Sequence, residues 1–339
     1  MLRPMTRHLL LLLWLLPCLA AVAATPAARP VDIAPEHPAP SPGLRLLGTI
    51  ALPHQRVDGQ LLSGLSALAW DEDEGLLYAV SDRGALFHLR PEFKGGELVR
   101  ARAVAAWPLL DPQGRPLTQG MTDAEGLVLR GGHNGRRGDS ELVISFEHQP
   151  RIWRYDNHGR YRGSLRLPPV LRLKGNYQNA NAMLEAVTHH PRLGYLTAPE
   201  RPLRRLPQDR ITLFALDGRR WLLPRAPHEG SAVVALEALP DGSLLVLERS
   251  FASLLHPIVI TLSRVWPTPD CRAERHHPCR HQPLFELSSA QGWLLDNFEG
   301  LTRYRGNRFF MVSDDNGFVL QQTLLSQFAL PKLDIPPPK

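Results

Sequence analysis

Acidic residues recur in this chain at one end of short apolar hairpins, a spacing that could bring several carboxylates together. Five segments share a pattern: an apolar strand that often opens with Glu, a turn, and an apolar strand that closes on Asp or Glu. In an antiparallel hairpin the first residue of one strand lies beside the last residue of the next, so these acids share one end. The segments are SGLSALAWDEDEGLLYAVSD from Ser63, AEGLVLRGGHNGRRGDSELVISFE from Ala124, LEAVTHHPRLGYLTAPE from Leu184, VVALEALPDGSLLVLE from Val233 and FEGLTRYRGNRFFMVSD from Phe298.

Crowded carboxylates repel one another, and a bound cation or a raised pKa that keeps some of them protonated relieves the repulsion. Calcium suits a site made of oxygen ligands. A cation can polarise a phosphoryl or carbonyl oxygen, and a carboxylate can activate water. We therefore expect Glu185 or Glu299 to act as the catalytic base and the other acids to hold Ca²⁺. The predicted metal-holding acids are Asp82, Glu125, Glu147, Glu200, Glu248 and Asp314.

The acidic pattern is incomplete in two copies, and it has a structural alternative. Ser63 stands where the first copy would open with an acid, and the register of Glu237 in the fourth copy is open. In the alternative, each acid caps turn amides or pairs with an arginine of its own repeat. Both readings place the acids at strand ends, so the sequence alone does not separate them.

Arginine directly follows three of the closing acids, in Asp82-Arg83, Glu200-Arg201 and Glu248-Arg249. Adjacent residues of a strand face opposite ways, so the acid and the arginine of one pair cannot both point into a shared opening. If the chain bends there, the arginines could clamp a phosphate. Otherwise they form ion pairs between neighbouring repeats, the interpretation that we favour.

Other catalytic motifs are missing from the sequence. There is no G-x-S-x-G elbow, phosphate loop, dinucleotide fingerprint or H-E-x-x-H motif, which argues against a nucleophilic-serine esterase. His133, His148 and the pair His189-His190 are the candidates for additional proton carriers, although each lies in or beside a turn, where surface histidines are common.

The elements that must position the acids are short strands in a repeated array. The repeats start about 50 to 65 residues apart, as blades of a β-propeller do. The second repeat divides into AEGLVLR, ELVISFE, PRIWRYD and YRGSLRLP, four antiparallel strands that would make one blade. We therefore predict an all-β fold, a β-propeller of five four-stranded blades. A sixth, degenerate blade could lie between Phe251 and Asn297.

The last repeat lacks a fourth strand, because the chain runs into Pro331 after FVLQQTLLSQFAL. The segment LRLLGTIALP, from Leu44 to Pro53, is a strand without a hairpin partner of its own. Pairing it with the last blade would close the ring and remove exposed strand edges. The predicted propeller domain spans residues 44–331, followed by a tail over 332–339.

The N-terminus has the layout of a cleavable export signal. Arg3 and Arg7 precede an apolar run and small residues that end at Ala24, too short a run to span a bilayer, so residues 1–24 are predicted to be a signal peptide. Residues 25–43 are proline-rich and predicted to be an extended linker. We expect a periplasmic or secreted protein with no stable membrane insertion after cleavage.

Composition and cysteine usage agree with an exported globular chain. The 339 residues are 43% hydrophobic and 21% charged, and the formal net charge of +6 is weak for this size. No nucleic-acid-binding motif is present. Cys271 and Cys279 are predicted to form a disulfide, because exported pairs are usually oxidised. Zinc binding by these cysteines and the nearby histidines is the alternative.

Several phrases of the sequence resemble one bacterial family. ALPDGSLLVLERSF and DNFEGLTRYRGNRFFMVSDDN are the most specific of them, and the similarity extends over residues 44–330. The chain resembles the phytase-like family, also called esterase-like activity of phytase. The resemblance implies an exported β-propeller with repeated acids and a phosphoester or ester hydrolase activity. The family's acids correspond to Glu125, Glu185, Glu200, Glu248, Glu299 and Asp314.

Two functions remain at this point. The first is an exported, cation-assisted hydrolase that acts on small phosphate esters or related esters. The second is a non-catalytic propeller that binds a ligand or a partner in the cell envelope through the same opening. Both require the same fold.

Overall fold

The computed structural model of the protein describes residues 28–35, 43–253, 256–318 and 321–334, so the predicted signal peptide lies outside the described residues. Short apolar segments separated by Gly, Asp and Asn turns form the strands. In chain order they are β1 (Arg29–Pro30), β2 (Arg45–Ala51), β3 (Arg56–Val57), β4 (Gln60–Leu61), β5 (Leu65–Asp71), β6 (Leu76–Ser81), β7 (Ala85–Lys94), β8 (Glu97–Pro108), β9 (Ala124–Arg130), β10 (Glu141–Phe146), β11 (Arg151–Asp156), β12 (Tyr161–Leu165), β13 (Leu184–His190), β14 (Gly194–Pro199), β15 (Arg210–Ala215), β16 (Arg220–Pro224), β17 (Ser231–Ala238), β18 (Leu244–Ser250), β19 (Val259–Trp266), β20 (Arg280–Ser288), β21 (Asn297–Arg305), β22 (Arg308–Asp314) and β23 (Leu324–Ala329).

Helices are few and short in the described part of the chain. The α-helix α1 (Pro169–Arg172) is followed by a 3₁₀ turn at Lys174–Asn176, and further 3₁₀ turns lie at Pro269–Cys271, Ala273–Arg275 and Ser289–Gln291. None of the described helices has the length and apolar character needed to cross a membrane.

Five antiparallel sheets form the blades of the propeller. Blade 1 is β5 to β8, blade 2 is β9 to β12, blade 3 is β13 to β16, and blade 4 is β17 to β20. Blade 5 contains β21, β22, β23 and β2. The innermost strands β5, β9, β13, β17 and β21 contact one another in order, and β21 contacts β5 again. The predicted five-bladed β-propeller is therefore confirmed.

The N-terminal strand closes the ring as predicted. β2 pairs antiparallel with β23, with Arg45 opposite Ala329 and Ala51 opposite Leu324, and β1 pairs along the outer edge of β2. A sixth blade between Phe251 and Asn297 is not formed. The described residues of that segment contain β19 and β20, which are the third and fourth strands of blade 4.

Each inner strand carries a β-bulge near its first residue. The bulged residue lies opposite no single partner, and the residue after it is small in every blade. Gly126 shows why: a Cβ there would lie 2.7 Å from the Glu185 carbonyl oxygen of the next inner strand. The five bulged residues are Ser66, Glu125, Glu185, Val234 and Glu299, and the small residues that follow are Ala67, Gly126, Ala186, Ala235 and Gly300.

The apolar cores lie between neighbouring blades. Leu213 and Trp221 of blade 3, for example, pack in one cluster with Leu244 and Val246 of blade 4. A fully buried leucine contributes about 1.5 to 3 kcal/mol. Each blade is thus stabilised on both faces, and the ring fixes the inner strands around one axis.

Part of the predicted linker packs against the propeller instead of extending into solvent. Ile33 is 1% exposed and belongs to the core cluster beside blades 4 and 5, and its carbonyl oxygen accepts a hydrogen bond from Leu294. Leu333, in the predicted tail, is buried in the same cluster. Burial of these apolar side chains stabilises the docked segments.

A disulfide joins Cys271 and Cys279, which excludes these thiols as zinc ligands. Both residues lie in the connection between β19 and β20, and the Cys279 amide donates a hydrogen bond to the Leu222 carbonyl of blade 3.

The acidic run from Asp71 to Glu74 has a structural role at the end of the hairpins opposite the predicted acidic opening. Asp73 and Glu74 accept hydrogen bonds from amides of the loop 134–138 of blade 2.

Candidate functional site

One cavity of about 390 Å³ lies at the end of the ring where the inner hairpins open and close. Because all five inner strands start there, side chains from separate blades meet. Seven of the eight acids predicted from the repeats line this cavity, and Asp123 joins them. The carboxylates that line it are Asp82, Asp123, Glu125, Glu147, Glu185, Glu200, Glu299 and Asp314.

Blade 2 supplies a compact group that could hold a metal ion. Atoms of Asp123, Glu147 and His148 that can ligate a metal lie within 4.8 Å of one another. Glu147 follows β10 and its Oε1 accepts a hydrogen bond from the Met183 amide at 2.8 Å. His148 Nδ1 contacts an Asp123 carboxylate oxygen. Burial raises the pKa of Glu147 to about 8, against the effect of the Met183 amide.

The bulged residues Glu125 and Glu185 line the cavity from neighbouring blades. Burial, followed by the negative charges of Glu299 and Asp123, raises the pKa of Glu125 well above its ordinary value. Burial, followed by the charges of Glu125 and Glu200, raises the pKa of Glu185 in the same way. Both carboxyls are therefore protonated more readily than an exposed glutamate.

Glu299 has a different environment from Glu185. Its Oε1 accepts hydrogen bonds from Arg249 Nη1 and Asn297 Nδ2, each at 2.8 Å. Burial raises the pKa of Glu299, but Arg249 and Asn297 oppose that rise. The ionised form of Glu299 is thus stabilised by the Arg249 guanidinium and the Asn297 side-chain amide.

Asp82 and Asp314 complete the acidic lining from blades 1 and 5. Burial, followed by the charges of Glu299 and Asp82, raises the pKa of Asp314 to about 8. The adjacent Asp315 instead caps a turn and accepts hydrogen bonds from Ser63 Oγ at 2.6 Å and Thr323 Oγ1 at 2.8 Å. Asp315 fits the structural alternative, whereas its neighbour Asp314 faces the cavity.

Glu248 is the one predicted site acid that the structure does not bring into the cavity. It lies opposite Val233, the residue before the bulge, and so corresponds to Ser81 and Ser313 in other blades. Its carboxylate accepts hydrogen bonds from the Ala226 amide and from Ser231 Oγ at 2.7 Å.

Arg249 takes the cavity position that an acid occupies in the other four blades. Its guanidinium contacts Glu299 of blade 5 and, at 3.4 Å, Glu200 of blade 3. This is the ion pair between repeats that was favoured for the arginines. Glu248 and Arg249 face opposite ways, as alternation in a strand requires. The residue that faces the cavity is Arg249 and not the predicted Glu248.

Sequence reasoning missed several residues of the cavity. Asp123 and Asn297 each lie two residues before a bulged glutamate, Glu125 and Glu299, so comparison of these two repeats could have identified them. His148 was among the histidines considered as proton carriers, and its position after Glu147 was the available signal. Asn181 belongs to the connection before β13, which carries no repeated pattern.

The donor set of the cavity fits a hard divalent cation. Carboxylate oxygens dominate it, and Arg249 is the one arginine or lysine among the described lining residues. Glu200 Oε2 is buried without a hydrogen-bond partner among the residues described. Arg201 Nε lies 3.8 Å from this oxygen, and a buried acceptor without a hydrogen bond is stabilised by a cation such as Ca²⁺. The imidazole of His148 also admits a transition metal in the blade 2 group.

Comparisons with known proteins place this geometry in context. No curated protein matches the chain. Among solved structures it is similar to U3-55K, with 11% identity and a TM-score of 0.42, covering 85% of this chain and 98% of that one. It is also similar to the gluconolactonase XC5397 from Xanthomonas campestris, with 13% identity, a TM-score of 0.41 and coverage of 91% and 99%. TM-scores below 0.5 carry no inference about activity.

The sequence comparison is more specific. The model of the family described as phytase-like, esterase-like activity of phytase, matches residues 60–317. That range runs from β4 to the turn after β22 and contains every acid that lines the cavity. The chain therefore belongs to the phytase-like family.

Proposed function

We propose that this protein is an exported, cation-assisted hydrolase of small phosphate esters or related esters, and that the acidic cavity is its active site. One observation carries the proposal: acids from four separate blades converge in a single cavity of about 390 Å³. Family membership supports the reaction class, and the disulfide supports an oxidising compartment.

The cavity offers candidates for both a base and an acid. Arg249 and Asn297 stabilise the ionised form of Glu299, so Glu299 can accept a proton from an attacking water. Burial, followed by the charges of Glu125 and Glu200, favours the protonated form of Glu185, so it can donate a proton to the leaving group. Two carboxyls in different environments thus take opposite roles.

The remaining acids would hold the cation. Asp123, Glu147 and His148 form the compact group, and Glu125, Glu200, Asp82 and Asp314 provide further oxygens around it. A bound divalent cation supplies positive charge that polarises a phosphoryl or carbonyl oxygen. The chain's own contribution is to fix these ligands on rigid strand ends and to exclude bulk water from buried Glu185 and Glu299.

The test uses the mature chain after treatment with a chelator. Binding of Ca²⁺, Mn²⁺ and Zn²⁺ is measured by calorimetry, and turnover is measured with p-nitrophenyl phosphate, bis(p-nitrophenyl) phosphate and p-nitrophenyl acetate. We expect turnover to require a cation and to fall about 10²- to 10⁴-fold in Glu299→Gln and in Glu185→Gln, as for removal of a general base or acid.

Glu141→Gln is the matched control, because Glu141 lies at the other end of β10 from the cavity. It should leave turnover within about twofold of the original chain, since its carboxylate is remote from the acids that line the cavity. Full activity in both Glu185→Gln and Glu299→Gln would contradict the assignment. Cation binding without turnover of any ester would instead favour a propeller that binds a ligand or an envelope partner.

A further inference from the structure

Blade 4 breaks the acidic pattern at both of its cavity positions. Its bulged residue is Val234, where blades 2, 3 and 5 have Glu. Its second cavity position, at the end of the hairpin's second strand, is Arg249, where the other blades have an acid. Phe251 and Ile258, which flank the connection from β18 to β19, also line the cavity. One sector of an otherwise acidic cavity is therefore cationic and apolar.

Arg249 has donor capacity that its protein partners do not use. Its Nη1 donates to Glu299 at 2.8 Å, and its Nη2 donates to Glu200 at 3.4 Å, a long contact. Its Nε is buried and has no hydrogen-bond partner among the described residues. A guanidinium has five N–H donors in a planar fork, a shape suited to the oxygens of a phosphate.

If Arg249 served only to neutralise the neighbouring carboxylates, its N–H groups would be expected to donate hydrogen bonds to them. Glu200 Oε2 also lacks a hydrogen-bond partner in the described structure, although the Arg249 side chain lies close to the other oxygen of the same group. A buried donor without an acceptor destabilises the structure. A ligand that brings acceptors to Arg249 would remove this destabilisation.

The place of Arg249 in the ring gives it a distinct role. Blade 3 lies between blade 4, which carries Arg249, and blade 2, which carries the Asp123, Glu147 and His148 group. With a cation bound by the blade 2 group as proposed, an anion between that cation and Arg249 would be stabilised from two sides, as phosphoryl groups are in many hydrolases. Phe251 is 43% exposed and could contact an apolar substituent.

We infer that Arg249 recognises the anionic phosphoryl group of the substrate, and that the substrate class is a phosphate ester with an apolar substituent rather than a neutral carboxylic ester. The inference rests on the proposed function and narrows it. Arg249 binds non-bridging phosphate oxygens through its unused donors, and the apolar sector of blade 4 accommodates the rest of the substrate.

Inorganic phosphate is the probe, because its binding does not depend on turnover. Calorimetric titration in the presence of Ca²⁺ compares the original chain with Arg249→Gln, Arg249→Lys and Arg201→Gln. Arg201 is a matched control: its Nε lies 3.8 Å from Glu200 Oε2, but its side chain lines a separate small cavity. We expect phosphate affinity to fall about 10- to 100-fold in Arg249→Gln, less in Arg249→Lys, and less than about twofold in Arg201→Gln.

Several results would overturn this inference. One is that Arg249→Gln binds phosphate as tightly as the original chain. Another is that Arg201→Gln loses as much phosphate affinity as Arg249→Gln, and a third is that the original chain binds no phosphate. Thermal unfolding of each variant checks that the fold is kept, and Arg249→Lys retains the charge if the glutamine variant does not fold. Phosphate binding through Arg249 without ester turnover would sustain the inference while the proposed hydrolase failed.

Discussion

Individual carboxyl groups in the cavity destabilise the fold unless they are protonated or neutralised. Glu147 and Asp314 are 7% and 5% exposed, and each has a pKa raised to about 8 by burial, followed by nearby negative charge in the case of Asp314. In the unfolded chain both groups would ionise near their ordinary values. Between those ordinary pKa values and about pH 8, the folded state therefore keeps protons that the unfolded state has lost.

This difference predicts how stability depends on pH. A carboxyl with a raised folded pKa contributes stability at low pH that is lost as pH rises toward the folded pKa. In chelator, we expect the free energy of unfolding to fall by about 2 to 4 kcal/mol from pH 6.5 to 8.5, about 2 kcal/mol for each of the two groups, and then to level off. Added Ca²⁺ should restore it at pH 8.5. Urea denaturation at fixed pH measures the effect.

The choice of pH range excludes the opposite contribution of buried histidines. Burial lowers the pKa of His88 to about 4 and also lowers that of His190. These histidines therefore make the folded state more stable as pH rises, but only at pH values below the ordinary pKa of histidine. Glu147→Gln should flatten the fall above pH 6.5. A stability that is constant or rising with pH in chelator would show that the carboxyls are not crowded.

At the scale of elements, the bulge and the small residue after it are what bring the acids together. The bulge directs Glu125, Glu185 and Glu299 toward the axis, and the small residue lets neighbouring inner strands approach. In blades 2, 3 and 5 the same step, a bulged Glu followed by Gly or Ala, thus both packs the inner strands and lines the cavity.

Gly126→Ala tests this packing. Its Cβ would lie 2.7 Å from both the Glu185 carbonyl oxygen and the Val187 amide nitrogen, which are backbone atoms that cannot turn away. We expect a loss of about 1 to 3 kcal/mol in the free energy of unfolding, the usual cost of overpacking. Gly175→Ala, with no atom within 4 Å of the added carbon, should change it by less than about 0.5 kcal/mol. Equal stability of the two variants would refute the close approach.

The sequence was sufficient to predict the blades, the closing strand and most of the cavity acids, because alternation and turn residues determine both. It did not determine the register of blade 4. Glu248 ends an apolar run as the other closing acids do, but pairing across the bulge moves Arg249 into the cavity position. Strand pairing is a long-range property, so one residue of slip exchanges the two faces without changing the local pattern.

Residues outside the repeated strands were beyond sequence reasoning for a different reason. Asn181 reaches the cavity from the connection after α1, and Ile33 packs from a segment whose prolines suggested a linker. Their positions depend on what the finished ring leaves accessible. Composition describes such segments correctly on average but does not show which single side chain is buried.

At the scale of the whole molecule, stability depends on closing the ring. β2 covers the edge of β23, and Ile50 is fully buried between blades 5 and 1. We expect a chain that starts at residue 54 to aggregate or to lose cooperative unfolding, because the edge of β23 and its apolar neighbours become exposed. A chain that starts at residue 28 is the control. Gel filtration and thermal denaturation compare them, and equal melting temperatures would contradict a role for closure.

Because the early strand β2 pairs with the last strand β23, the ring cannot close until nearly the whole chain has been synthesised. Before that point the cavity acids lie on separate hairpins without a shared vestibule. The cation site that we propose would therefore form only in the final step of folding.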